Sequence, residues 1–184
     1  MRFMTTCSLL AFAAAVCAAQ TETKNLGSFT IKVPAGWKSV ETTSSMRRAQ
    51  FSLPKAEGDK NDAELIVYYF GQAGGGGVQA NLDRWYGQFK QPDGSDTKDK
   101  AKSSKKKTDG MDITVVDVSG TYVAPKQIGN PAAGSYNEKD YRMLAGIVPA
   151  PDGDHFFKLV GPAKTVAKWA KDFDAMIASI KKTK

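Results

Sequence analysis

The chain has 184 residues, 41% of them hydrophobic and 24% charged, which excludes a disordered tail or a fibrous repeat and fits one globular domain. Lys and Arg outnumber Asp and Glu by 26 to 19, giving a net charge of +7. Two cysteines and a single histidine leave most metal and nucleophile chemistry short of residues.

In chain order, Arg2 is followed by an apolar run at 9–16 and by the small residues Cys17, Ala18 and Ala19 before Gln20. This is the layout of a secretory signal peptide cleaved near Ala18 or Ala19. The apolar stretch is shorter than the roughly 20 residues of a membrane-spanning helix. Removing residues 1–19 leaves 165 residues with a charge of +6, and Cys7 and Cys17 leave together. The expected product is periplasmic or secreted, lacks a disulfide and a transmembrane segment, and relies on its core for stability. Val16 before Cys17 departs from the small residue of a lipid-anchoring motif.

After a polar leader at 20–27, Phe29, Ile31 and Val33 alternate with Thr30 and Lys32, predicting a half-buried strand that Pro34 and Gly36 stop. Ala49, Phe51 and Leu53 predict a second strand, and the two read as a pair. The run 65–70 is apolar on both faces and predicts a central strand. Gly74 to Gly77 read as a flexible link, after which Val78, Leu82, Trp85 and Phe89 recur on one side of a helix. Residues 95–110, polar and rich in lysine, read as a long surface loop. The next segment, 111–123, is a strand with Ile113 and Val115 on one face and Thr114, Val116 and Val118 on the other. A second long loop at 124–140 holds Pro125, Gly129, Pro131 and Gly134. Strands at 141–148 and 155–160 are joined by a hairpin around Asp152-Gly153. Gly161-Pro162 then opens a helix with Val166, Trp169, Phe173, Met176 and Ile180 on one face. The sum is an α+β fold, a mostly antiparallel sheet of about six strands covered by two amphipathic helices, in one domain over 28–184.

Catalytic constellations are missing from this inventory. Ser119-Gly120 lies in Val-Asp-Val-Ser-Gly rather than in a nucleophile elbow, and His155 reads as an exposed histidine at a strand end. Asp59, Asp62 and Glu64, or Asp152 and Asp154, lack the spacing of a calcium loop and read as solvated turn residues. No catalytic residue, metal or cofactor is assigned. Gly75, Gly76, Gly77 and Val78, with Arg84 nearby, form a candidate anion site at a helix start, although neither a Walker lysine nor Rossmann spacing accompanies them. Lys102, Lys105, Lys106 and Lys107 lack the interleaved aromatics of a nucleic-acid site. They read as a solvated loop or as a contact with an anionic surface. Tyr68, Asn81, Arg84, Tyr86, Arg142 and Arg47 are candidate ligand-binding residues, aromatic and polar groups that a cleft would bring together.

The segment Ser28-Phe29-Thr30-Ile31-Lys32-Val33-Pro34-Ala35-Gly36-Trp37 resembles the opening of PsbP-like domains. The ending is similar too, with Phe156-Phe157-Lys158-Leu159 running into a helix that carries Trp169 and closes near Ser179-Ile180. The resemblance, to a Mog/PsbP-type sandwich found in many exported bacterial proteins, spans most of 28–180. It implies an α/β/α sandwich and binding or assembly without catalysis. The leading expectation is an exported, non-enzymatic domain that binds an envelope protein or a small ligand. Two alternatives stand beside it: a hydrolase or transferase using acidic residues, and adhesion to anionic surface polymers through the lysine loop.

Overall fold

Alternating apolar and polar residues build two sheets in the computed structural model, which describes residues 21–72, 74–127 and 130–183. The proposed signal peptide lies outside these residues. A small sheet pairs β1 (Glu22–Asn25) with β2 (Phe29–Val33), and β2 with β11 (Lys181–Lys182). The large sheet has eight strands: β3 (Lys38–Ser39), β4 (Arg47–Leu53), β5 (Ala63–Tyr69), β10 (His155–Pro162), β9 (Glu138–Val148), β8 (Met111–Tyr122) and β6 (Phe89–Lys90) in that order, with β7 (Lys102–Thr108) also on β8. Eight strands replace the expected six, and every pairing is antiparallel.

The expected pairing of 29–33 with 49–53 does not occur. β2 and β4 belong to different sheets and meet face to face, with Phe29, Ile31 and Val33 in the same core as Ala49, Phe51 and Leu53. The polar leader supplies β1, whose residues pair with β2 from Glu22 opposite Val33 to Asn25 opposite Thr30.

The lysine-rich loop is also structured. Thr97–Lys100 forms the short helix α2, capped by the Asp96 carboxylate, which accepts from the Lys98 amide. Lys102 to Thr108 then form β7, which turns into β8 through Asp109 and Gly110, both at positive φ (48° and 74°). Two consecutive left-handed residues are the backbone of a tight two-residue hairpin.

Two cores lie on opposite faces of the large sheet. On one face, α3 (Ala163–Ala178) and the small sheet bury Val166, Phe173, Met176 and Ile177 against Leu65, Ile113, Val115, Phe157 and Leu159. On the other, α1 (Val78–Tyr86) packs Leu82, Trp85 and Tyr86 against Val116, Val118, Met143, Ala145, Ile147 and Phe156. β8 divides its side chains between the faces as its alternation predicts. α1 is shorter than its sequence spacing suggests: Phe89 belongs to β6, and Val78 is exposed. Pro162 is the N-cap of α3 and the last residue of β10 rather than the first residue of the helix. Among the described residues no helix is long and apolar enough to cross a membrane.

Candidate functional site

α1 covers only one half of its sheet face. The other half is a cleft of about 570 Å³ whose floor comes from β5, β10, β9 and β8. Register fixes which side chains point into it. Lys158 lies opposite Ile66 on one neighbour and Ala145 on the other, Val160 lies opposite Glu64, and Phe156 opposite Tyr68, so Glu64, Ile66 and Tyr68 share a face with Lys158. Tyr122 and Tyr141 close the floor, and the 124–127 segment with Tyr136 forms one wall.

Arg47 reaches this face through a backbone irregularity. The register between β4 and β5 shifts between Arg47 and Ala49, so Arg47 pairs with Tyr68 while Ala49 pairs with the core residue Val67. A bulge inverts which side of the sheet a residue faces, and without it Arg47 would point into the core beside Ala49. Its guanidinium donates to the Gln50 side chain at 2.8 Å, and Gln50 donates to Glu64 at 2.6 Å.

Aromatic rings line much of the cleft. Tyr68 stacks on Phe70 at 6.0 Å and 4°. Tyr122 stacks on Tyr141 at 6.0 Å and 9° and meets Tyr136 at 5.3 Å. Of the five large hydrophobic residues exposed on the described surface, Met46, Phe70 and Tyr136 all line this cleft. Three of the five are thus gathered at one concavity rather than scattered over the surface.

Lys158 is the polar centre. Its Nζ donates to Gln88 Oε1 at 2.6 Å and to the Tyr122 hydroxyl at 3.1 Å. No carboxylate pairs with it among the described residues, whose ion pairs are Lys100–Asp93, Lys106–Asp174 and Arg142–Asp117. Burial disfavours its charged form and lowers its pKa to about 8, against a weaker opposing pull from Glu64. Burial likewise raises the Tyr68 and Tyr122 phenols, which therefore stay protonated.

The six sequence candidates do not share one cleft. Tyr68 and Arg47 line it. Arg142 lies on the opposite face, because Tyr141 and Met143 take the cleft side of β9 and strand alternation turns Arg142 toward α3, where it grips Asp117 through two 2.8 Å hydrogen bonds. Tyr86 is packed under α1 beside a separate hollow that reaches Lys98. Asn81 and Arg84 belong to the glycine segment. The buried Asn81 amide donates toward the carbonyls of Gly75, Gly76 and Gly77 at 2.8, 3.1 and 3.0 Å, and its oxygen accepts from Arg84 at 2.8 Å.

The glycine segment is accordingly pinned rather than a supple link. A Cβ on Gly75, at φ +90°, would lie 2.4 Å from the Phe156 ring, so the glycine permits a close approach to the sheet. His155 is fully buried, contrary to an exposed strand-end position. It lies against Tyr69 and Phe29, with ring centroids 4.7 Å away in each case, and the fold of β2 over the end of β10 covers it. Lys102, Lys105 and Lys107 are exposed on β7, and Lys106 pairs with Asp174 at 2.7 Å.

Lys158, Tyr122, Tyr136, Glu64 and Gln88 escape the sequence reading of the site. For Lys158 the signal is present: it is the one charged residue in an otherwise apolar central strand after His155.

Comparison with solved structures adds the fold's relatives. The chain is similar to cyanobacterial PsbP (CyanoP) from Synechocystis sp. PCC 6803, with a TM-score of 0.54 and 12% identity over 95% of this chain and 99% of that one. The fold is PsbP-like. A protein of unknown function from Pseudomonas aeruginosa, PA94, is also similar, with a TM-score of 0.50 and 9% identity over 89% of this chain and 98% of that one. No protein-family profile matches the chain, and no curated protein matches it in sequence. At these identities the likeness is one of PsbP-like architecture, so function has to be argued from the cleft.

Proposed function

We propose that the protein is an exported, non-enzymatic binding domain that holds a small organic ligand in the cleft over β5 and β10. Export rests on the signal-peptide layout of residues 1–19. Binding rests on one observation above all: the exposed apolar residues and the Lys158 amine, which has no carboxylate partner among the described residues, converge on the same concavity. The rings supply contact area, and Arg47, Glu64, Gln88 and Lys158 supply orientation. Several acids are engaged elsewhere, which favours binding over acid chemistry. Asp59 accepts from Thr165, Asp109 from the Lys182 amide, and Asp117 from Arg142.

A panel of small aromatic and amphiphilic fragments tests this reading by amide and side-chain NMR. Binders should shift signals of Tyr68, Tyr122, Tyr136 and Lys158 together. Binding confined to other surfaces, with the cleft signals unmoved, would overturn it. Amino-terminal sequencing of the exported product should begin at Ala19 or Gln20.

A second reading, contact with an anionic envelope surface, draws on β7. This edge strand presents Lys102, Lys105 and Lys107 to solvent, so its charge is held in register rather than spread over a loop.

A further inference from the structure

Lys158 and Tyr122 form a donor pair whose geometry specifies more than a site. The lysine Nζ donates to the tyrosine oxygen at 3.1 Å, so the phenol's own proton is directed elsewhere. Two of the three ammonium protons go to Gln88 and Tyr122, and the third has no acceptor among the described residues. An N–H and an O–H about 3 Å apart can each serve one oxygen of a single carboxylate. Around the pair lie flat rings: Tyr122 itself, Tyr141 stacked on it, and Tyr136 beside it.

Resting on the cleft reading above, we propose that the ligand is a small carboxylate with a flat apolar body, its carboxylate seated on Lys158 and Tyr122 and its body among the tyrosine rings. A half-buried ammonium without a counter-ion is unfavourable, and an incoming carboxylate supplies the missing charge while using hydrogen-bond donors already in place. A neutral amide of the same shape gains the ring contacts but leaves the cation uncompensated.

Proton uptake accompanies this binding. The charged groups around Lys158 are Glu64 and Asp62 beside β5, Arg47 from β4 and Lys126 from the wall, and the titratable phenols are Tyr68, Tyr122, Tyr136 and Tyr141. The amine titrates near pH 8 in the empty cleft, and a bound carboxylate favours its ammonium form. Carboxylate affinity is therefore flat at neutral pH, above the ligand's own carboxyl titration, and declines as the pH rises through about 8.

Titration calorimetry and NMR on the whole protein with naphthoate and its neutral isostere naphthamide test the proposal. At pH 7 naphthoate should bind at least about tenfold more tightly than naphthamide. At pH 8, calorimetry in buffers of different ionisation heat should show uptake of about half a proton. Lys158→Met should abolish the preference and retain naphthamide binding. Tyr122→Phe, which keeps ring and lysine, should reduce the preference several-fold and serves if the first variant does not fold. Equal affinities, with both compounds shifting the Tyr68 and Tyr122 signals, would overturn the carboxylate inference and leave the cleft standing. If neither compound shifts those signals at millimolar concentration, the cleft reading falls and takes the inference with it.

Discussion

His155 stacks on Tyr69 with ring centroids 4.7 Å apart and the planes inclined by 29°. Its Nδ1 donates to the Gly153 carbonyl at 3.1 Å, which leaves Nε2 as the unprotonated nitrogen, buried and without a partner among the described residues. Burial lowers the histidine below its ordinary 6.5, Asp152 opposes the shift, and Arg48 assists it. The unfolded chain accordingly takes up a proton before the folded one does. Stability from this site is complete above pH 6.5 and is lost as the pH falls below it. His155→Phe keeps a ring against Phe29 and Tyr69 and removes the titration. Urea melts should show a change within about 1 kcal/mol at pH 7 and a shallower loss between pH 6.5 and 5 than in the parent chain. Parallel acid limbs would refute this account.

Lys158 gives the opposite end of the pH range a similar test. Its folded-state pKa, about 8, lies below the ordinary 10.5, so between these values the unfolded chain binds more protons and stability rises with pH. Below pH 8 the fold carries the full burden of a desolvated ammonium. Lys158→Met should therefore stabilise the protein by on the order of 1–2 kcal/mol at pH 7, after allowance for the two lost hydrogen bonds and partial solvent access. That advantage should shrink as the pH approaches 10.5, which melts at pH 7 and pH 10 would reveal.

Alternation in Phe29, Ile31 and Val33 is local and correctly separates the core from the outward face, and in Ile113 to Val118 it correctly divides the side chains between the two cores. Pairing partners are less accessible. β2 joins β1 and β11, the latter some 150 residues away, and no local pattern near Phe29 points there. β7 is hidden for another reason. Both of its faces are solvated, so its lysines show no alternation, and the only remaining signal is Asp109-Gly110 at the turn. The cleft is harder still, since β4, β5, β8, β9, β10 and the 124–127 segment each contribute to it. Tyr68 and Arg47 are legible as candidates, but only the bulge at β4 brings them together, and strand parity sends Arg142 to the far side.

Asn81 ties the glycine segment to α1, with three carbonyls converging on one amide. Asn81→Ala removes these contacts and the acceptor of Arg84 from a buried position, while the backbone amide of residue 81 keeps its bond to the Gly77 carbonyl. We expect a loss of about 1–2 kcal/mol in chemical denaturation. Limited proteolysis should find a new cleavage point at 71–77 while the remainder of the chain stays resistant. Unchanged protection there would mean that packing of Gly75 on Phe156, rather than the amide, holds the segment.

The edge strand β7 carries the remaining reading, and salt separates it from the cleft. Lys102, Lys105 and Lys107 are exposed and lie outside the ion pairs of the described residues, whereas Lys106 is engaged with Asp174. Their attraction to an anionic surface is screened over about 8 Å at physiological ionic strength. If β7 is an adhesive edge, the protein should co-sediment with vesicles containing anionic lipid at low salt and be released as salt is raised. The triple reversal Lys102→Glu, Lys105→Glu and Lys107→Glu should abolish sedimentation without altering the melting temperature by more than a few degrees, since all three side chains are solvated. Absence of binding by the parent chain at low salt would instead assign the lysines to protecting an exposed strand edge from pairing with other chains, a use for which lysine is well suited.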